Sequence, residues 1–123
     1  MSETSRPVCV VIGVGPGNGA ACARRFAAEG HAVALLARNQ AYLESLAAEI
    51  EGSRAFAYDA TSAAAATEVL SRIRDEMGPV SVLVYNAGSG VFGDFDAVSP
   101  EDLEAAWRVN TYGLLLAAKQ VVP

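Results

Sequence analysis

Apolar residues along this chain follow two alternating rhythms. Short unbroken runs at Val8–Ile12, Ala32–Ala37, Ala55–Tyr58 and Val80–Tyr85 alternate with longer stretches in which apolar positions recur three and four residues apart. Unbroken apolar runs, β-branched in the first and last of these, are the pattern of strands buried on both faces of a parallel sheet. The longer stretches have helical spacing. One continues from Ala20 through Phe26 to Glu29; Tyr42, Leu43, Leu46, Ala47 and Ile50 mark a second, with Gly52 as its stop. A third runs from about Ser62 to Met77, placing Ala66, Val69, Leu70, Ile73 and Met77 on one face before Gly78-Pro79. Ser99-Pro100-Glu101-Asp102 carries a Ser cap, a first-position Pro and first-turn acids. It predicts a last helix through Leu103, Ala106, Trp107, Asn110 and Leu114 toward Val122.

Strands that alternate with helices of this length predict right-handed crossovers and a doubly wound parallel sheet. The expected fold class is α/β, three-layer α/β/α, with strand order about 3-2-1-4. Such sheets bind ligands beyond the carboxyl ends of their strands, at the switch point, here between the first and fourth. Gly13–Gly19, Arg38, Asp59 and Asn86–Gly88 follow the four strand runs in turn. They are therefore predicted to converge.

The segment after the first run holds glycines at alternate positions, Gly13, Gly15, Gly17 and Gly19, and then opens a helix. Unpaired N–H groups and the positive end of a helix dipole make such a turn a cradle for a diphosphate. Glycine lets the ligand approach the backbone and supplies positive φ. The spacing fits Gly-x-x-x-Gly-x-Gly as Gly13, Gly17 and Gly19, and not Gly-x-Gly-x-x-Gly, because Asn18 stands at its third glycine. Pro16 stiffens the turn.

Composition then narrows the class. Length 123 allows one domain, and 52% hydrophobic against 19% charged residues describes a globular chain. The net charge of −5 and the absence of any Lys/Arg cluster argue against a nucleic-acid surface. The N-terminal Met-Ser-Glu-Thr-Ser-Arg-Pro has no apolar signal core, and no run is long enough to span a bilayer, so a cytoplasmic location without a membrane partner is expected. Cys9 and Cys22 both occupy apolar positions and read as buried thiols rather than a disulfide or metal pair. No metal site is expected. His31, at the start of the second run, reads as a surface residue.

Arg38 follows the second strand, where a ribose is addressed. An acid there favours NAD; a guanidinium pairs with a 2′-phosphate through forked, charge-assisted bonds and favours NADP, although a plain solvated arginine gives the same letter. Asn39 either adds a hydrogen bond or caps the next helix. Asp59, with Ala60 beside it, is placed either to bind an adenine amino group or to cap the third helix. Asn86 either ties neighbouring strand ends together, with Ala87 and Gly88 leaving room for a cofactor, or forms a simple turn.

Taken together, Gly13-x-x-x-Gly17-x-Gly19, the Asp59 strand end, Asn86-Ala87-Gly88 and Val109-Asn110 resemble the short-chain dehydrogenase/reductase family over essentially the whole chain, in family order. The resemblance implies a Rossmann-type fold and an oligomeric NAD(P)-dependent oxidoreductase acting on small alcohol or carbonyl substrates. It implies cofactor contacts from Gly13, Pro16, Gly17, Asn18, Gly19, Arg38, Asp59, Ala60, Asn86, Ala87 and Gly88, with NADP preferred and NAD possible. It also implies a catalytic role for Asn110. Ile12 stands where the family has Thr or Ser, and Asn18 where it has an aliphatic residue, which marks a divergent member.

The family's remaining catalytic groups are a serine and a Tyr-x-x-x-Lys pair. Lys119 is the sole lysine, and Leu115 stands four places before it. Without a neighbouring cation, a tyrosine keeps a pKa near ~10, too high for efficient proton exchange at neutral pH. Residues 1–123 therefore read as one dinucleotide-binding domain, truncated before those segments and inactive alone. The same reading expects an unpaired fourth-strand edge, an uncovered apolar face (Leu114, Leu115, Leu116, Val121, Val122) and self-association. A non-catalytic NADP-binding sensor is the alternative. An S-adenosylmethionine methyltransferase is opposed by Arg38, where that class needs an acid. Phe92 and Phe95 hint at an apolar substrate, or at plain packing.

Overall fold

The computed structural model describes residues 5–123; residues 1–4, part of the stretch read as lacking a signal core, lie outside the described residues. Four parallel strands, β1 (Val8–Ile12), β2 (Ala32–Ala37), β3 (Ser53–Ala57) and β4 (Val80–Tyr85), form one sheet in the order β3-β2-β1-β4. Pairing runs Val10 with Ala34 and Leu83, so β1 is interior and the order in which strands are added reverses between β1 and β4. Helices α1 (Asn18–Ala28), α2 (Gln40–Glu49) and α3 (Ala63–Met77) connect the strands, and α4 (Pro100–Trp107), a π-turn (Arg108–Tyr112) and α5 (Gly113–Val121) complete the fold.

Strand alternation divides the core in two. Val8, Val10, Ile12, Ala34, Leu36 and Phe56 face one way, onto Ala66, Leu70 and Ile73 of α3 and Ala117 of α5. Cys9, Val11, Val33 and Leu35 face the other, onto Ala20 and Ala23 of α1 and Leu43 and Leu46 of α2. No residue of β1 is more than 1% exposed, which is why its sequence shows no polar alternation. Both β3 and β4 are edges of the described sheet, and β4 is only partly buried. Local caps fix the helix starts: Asn39 Oδ1 accepts from Tyr42 N, Ser62 Oγ from Ala65 N, and Ser99 with Asp102 forms a reciprocal capping box. Asn39 is thus a cap for α2.

Three sequence expectations need correction. The third strand begins at Ser53 and ends at Ala57, although Tyr58 N still donates to Ala37 O at 2.9 Å. The last helix is not continuous: Gly113 N bonds Arg108 O, five residues back, so the turn between α4 and α5 holds an extra residue. The expected apolar face is partly covered, since Leu116 and Val121 pack against the core while Leu114, Leu115 and Val122 stay exposed. A further correction concerns the thiols: Cys9 is buried as expected, whereas Cys22, also expected to be buried, is only partly so. Burial, with a smaller contribution from Cys22, pushes the Cys9 thiol up to about 11. No helix among the described residues is long and apolar enough to cross a membrane.

Candidate functional site

At the carboxyl edge of the sheet a cavity of about 310 Å³ opens between the strand ends. Its lining comes from every connection named in the sequence: Gly13 and Gly15 after β1, Arg38 after β2, Asp59 and Ala60 after β3, and Asn86, Ala87 and Gly88 after β4. Pro16, Gly17, Asn18 and Gly19 flank this cavity rather than line it. Val14, Thr61 and Val109 line it too.

The glycine turn separates into two kinds of position. Gly13 adopts φ +91°, and a Cβ there would collide with the backbone of Ala87. At Gly19 a Cβ would lie 2.6 Å from Gly13 O and 2.8 Å from Val14 Cα. These two glycines let the turn pack against its own strand and against β4. A Cβ at Gly15 or Gly17 would meet nothing within 4 Å. Those two border open space.

That space faces an unfinished helix. Unlike α2, α3 and α4, α1 has no side-chain cap at its N-cap residue Gly17, and, like α2 and α3, it carries no acid in its first turn. The first N–H groups of a helix have no intrahelical acceptor, and the dipole leaves them positive. The turn is anchored behind: Gly13 N and Val14 N both donate to Leu36 O, at 2.9 and 3.2 Å, and Asn86 Nδ2 donates to Gly13 O at 3.1 Å. Asn86 therefore ties the ends of β1 and β4 together, the first of its two predicted roles.

Around the rim, Arg38 is exposed, and none of the ion pairs among the described residues engages it. Asp59 does not cap α3, which Ser62 does. Its Oδ1 instead accepts from Thr61 N at 2.9 Å and Thr61 Oγ1 at 2.8 Å. These bonds, the backbone one foremost, hold the carboxyl below its ordinary range, with a smaller pull from Arg38. Thr61 was not singled out from sequence, although Asp-x-Thr is the spacing of an Asx turn.

Asn110 projects from the π-turn, exposed, and clasps Ser89. Its Oδ1 accepts from Ser89 N at 2.9 Å and its Nδ2 donates to Ser89 O at 2.7 Å, which pins the chain just past Gly88. Tyr85 Oη donates to Val109 O. Burial raises the Tyr85 phenol, and pushes Tyr58 up to about 12 with smaller contributions from Tyr85 and Asp59. Tyr58 Oη is buried without a partner among the described residues. Both phenols stay protonated at neutral pH. Phe92 and Phe95 stand almost wholly exposed on the loop after Gly88. Among the described residues there is no cluster of three His, Cys, Asp or Glu side chains able to hold a metal. A helix start without a side-chain cap, open glycine backbone and an exposed guanidinium together suit an extended, polyanionic ligand.

Comparison with known proteins gives a concordant result. A model of the short chain dehydrogenase family matches residues 7–123. The 2,3-dihydro-2,3-dihydroxybenzoate dehydrogenase of Bacillus subtilis is 36% identical over 118 residues, covering 93% of this chain and 45% of that protein. An alcohol dehydrogenase from the archaeon Thermococcus sibiricus, solved with 5-hydroxy-NADP, superposes with TM-score 0.89 at 31% identity, covering 94% of this chain and 52% of its own. A 3-ketoacyl-(acyl-carrier-protein) reductase from Brucella melitensis, solved with NADH, gives TM-score 0.90 at 30% identity, covering 98% and 51%. The chain spans about half the length of the curated relatives it matches.

Proposed function

The chain belongs to the short chain dehydrogenase family, and on that premise we propose that it supplies the cofactor-binding part of an NADP-preferring oxidoreductase acting on a small alcohol or carbonyl substrate. The observation that carries this is the uncapped start of α1 beside Gly15 and Gly17, where a Cβ would occupy open space. A nicotinamide dinucleotide fits these residues. Its diphosphate would lie against the α1 amides, with Gly13, Pro16, Gly17, Asn18 and Gly19 shaping the turn. Asp59 and Ala60 would border the adenine, and Asn86, Ala87 and Gly88 would wall the side toward the nicotinamide. When bound, that group gives or takes a hydride at its ring.

The chain's own residues bind and orient. Arg38, exposed and outside every ion pair among the described residues, would meet a ribose 2′-phosphate, which favours NADP over NAD. Asn110 would hold the loop that follows Gly88 and is assigned the catalytic role. The protonated Tyr58 and Tyr85 lack a neighbouring lysine. Residues 1–123 alone should therefore bind cofactor without turnover. The exposed Leu103, Trp107, Leu114 and Leu115 support self-association. We place the protein in the cytoplasm, with no nucleic-acid or membrane partner.

Titration with NADPH and NADH, of wild type and of Arg38→Asp, tests this. The wild type should bind NADPH about tenfold more tightly, as expected for one exposed charge-assisted contact, and the variant should lose or invert the preference. Equal wild-type affinities would remove the 2′-phosphate assignment. Absence of binding to either would sink the whole reading.

A further inference from the structure

Building on the dinucleotide reading, we infer that the Tyr85 hydroxyl is a positioning group that holds the cavity wall Asn86–Gly88 from behind. Tyr85 is the last residue of β4, and its Oη donates to the carbonyl of Val109 in the π-turn. Four residues later the backbone comes back to the neighbouring residue of that turn, where Asn110 clasps both the N–H and the C=O of Ser89. The stretch between these two fastenings is Asn86, Ala87 and Gly88, and all three line the cavity. A strand end that would otherwise run free into a glycine-containing loop is thus closed against 109–110 at both of its ends.

The packing around the phenol agrees. The π-turn shifts the hydrogen-bond ladder, with Gly113 N reaching back five residues to Arg108 O, and widened turns are stabilised by donors from outside the helix. Gly113 comes next. A Cβ there would collide with Tyr85 Oη and lie 2.6 Å from Ala60 O, so α5 begins with a residue that leaves room for the phenol. A phenol is protonated at neutral pH, so the Tyr85 hydroxyl is available as a donor there. A ring present only to fill space would need no hydroxyl, and phenylalanine would serve equally.

The test is Tyr85→Phe in the full chain, which keeps the ring and deletes the donor. Ser89 amide exchange is measured without ligand, NADPH affinity by fluorescence titration, and Tm alongside. Loss of one partly buried hydrogen bond should speed Ser89 exchange about fivefold and weaken NADPH binding by a similar factor, with Tm moving only a few degrees. Asn110→Ala should loosen Ser89 as well, and the double variant should fall short of the product of the two effects, because both fastenings hold one segment. Exchange and affinity both unchanged in Tyr85→Phe, or effects that multiply fully in the double variant, would overturn the inference. The exchange measurement needs no cofactor. A wild type that bound no dinucleotide would therefore sink the functional reading while leaving this one to be judged on Ser89 alone.

Discussion

Substituting alanine separately at Gly13 and Gly17 should separate folding from binding. Gly13 sits at φ +91°, where an L side chain costs about 1–2 kcal/mol, and its new Cβ would collide with the Ala87 backbone. Backbone cannot swing aside as a flexible side chain can, and overpacking of this kind costs about 1–3 kcal/mol more. Together Gly13→Ala should lose about 2–5 kcal/mol, or a Tm decrease of about 8–20 °C for a domain of this size. Gly17 has φ −91°, and a Cβ there meets nothing within 4 Å. With no neighbouring atom to displace, Gly17→Ala should lose less stability than Gly13→Ala. On the proposed function, its methyl would stand where a diphosphate approaches the α1 amides. Losing one charge-assisted bond, about 1.5–3 kcal/mol, weakens NADPH binding by about 10–150-fold. Thermal melts and fluorescence titrations of both variants check this. Equal Tm losses in the two, or NADPH affinity in Gly17→Ala within twofold of wild type, would refute the division of the glycine turn into packing and ligand positions.

Two further outcomes follow from the titrating groups. The Thr61 bonds lower the Asp59 pKa, so its contribution to stability is present above the ordinary carboxylate pKa near ~3.9 and disappears as pH falls through the lowered value. Urea titrations of wild type and Asp59→Asn should therefore differ at pH 7 and converge in strong acid; a pH-independent difference would contradict the Asx-turn account. At pH 8 a thiol reagent should label half-exposed Cys22 in the native protein and reach Cys9, pushed up to about 11, only after unfolding. Equal native rates would show that β1 opens far more readily than its burial implies.

Much of this fold was legible along the chain because its signals are local. Unbroken apolar runs, cap residues such as Ser62 and Ser99, and glycine after the first strand act within a few neighbours, and strand–helix alternation leaves few topologies. Even the meeting of Gly13, Arg38, Asp59 and Asn86 followed from one rule about strand ends. Other features depended on residues far apart in sequence. Which glycines are packing positions is set by Ala87 lying over Gly13, 74 residues away in the chain. Asn39 turned out to be a cap because its side chain meets Tyr42 N, while Asp59 turned inward to Thr61. The π-turn was invisible, because Leu103, Trp107, Asn110 and Leu114 keep helical spacing whether or not one turn holds an extra residue. Only the packing of Tyr85 and Ala60 against Gly113, and of Asn110 against Ser89, shows how that turn is used. Local preference selects the elements; side-chain reach across the folded sheet decides which of their atoms meet.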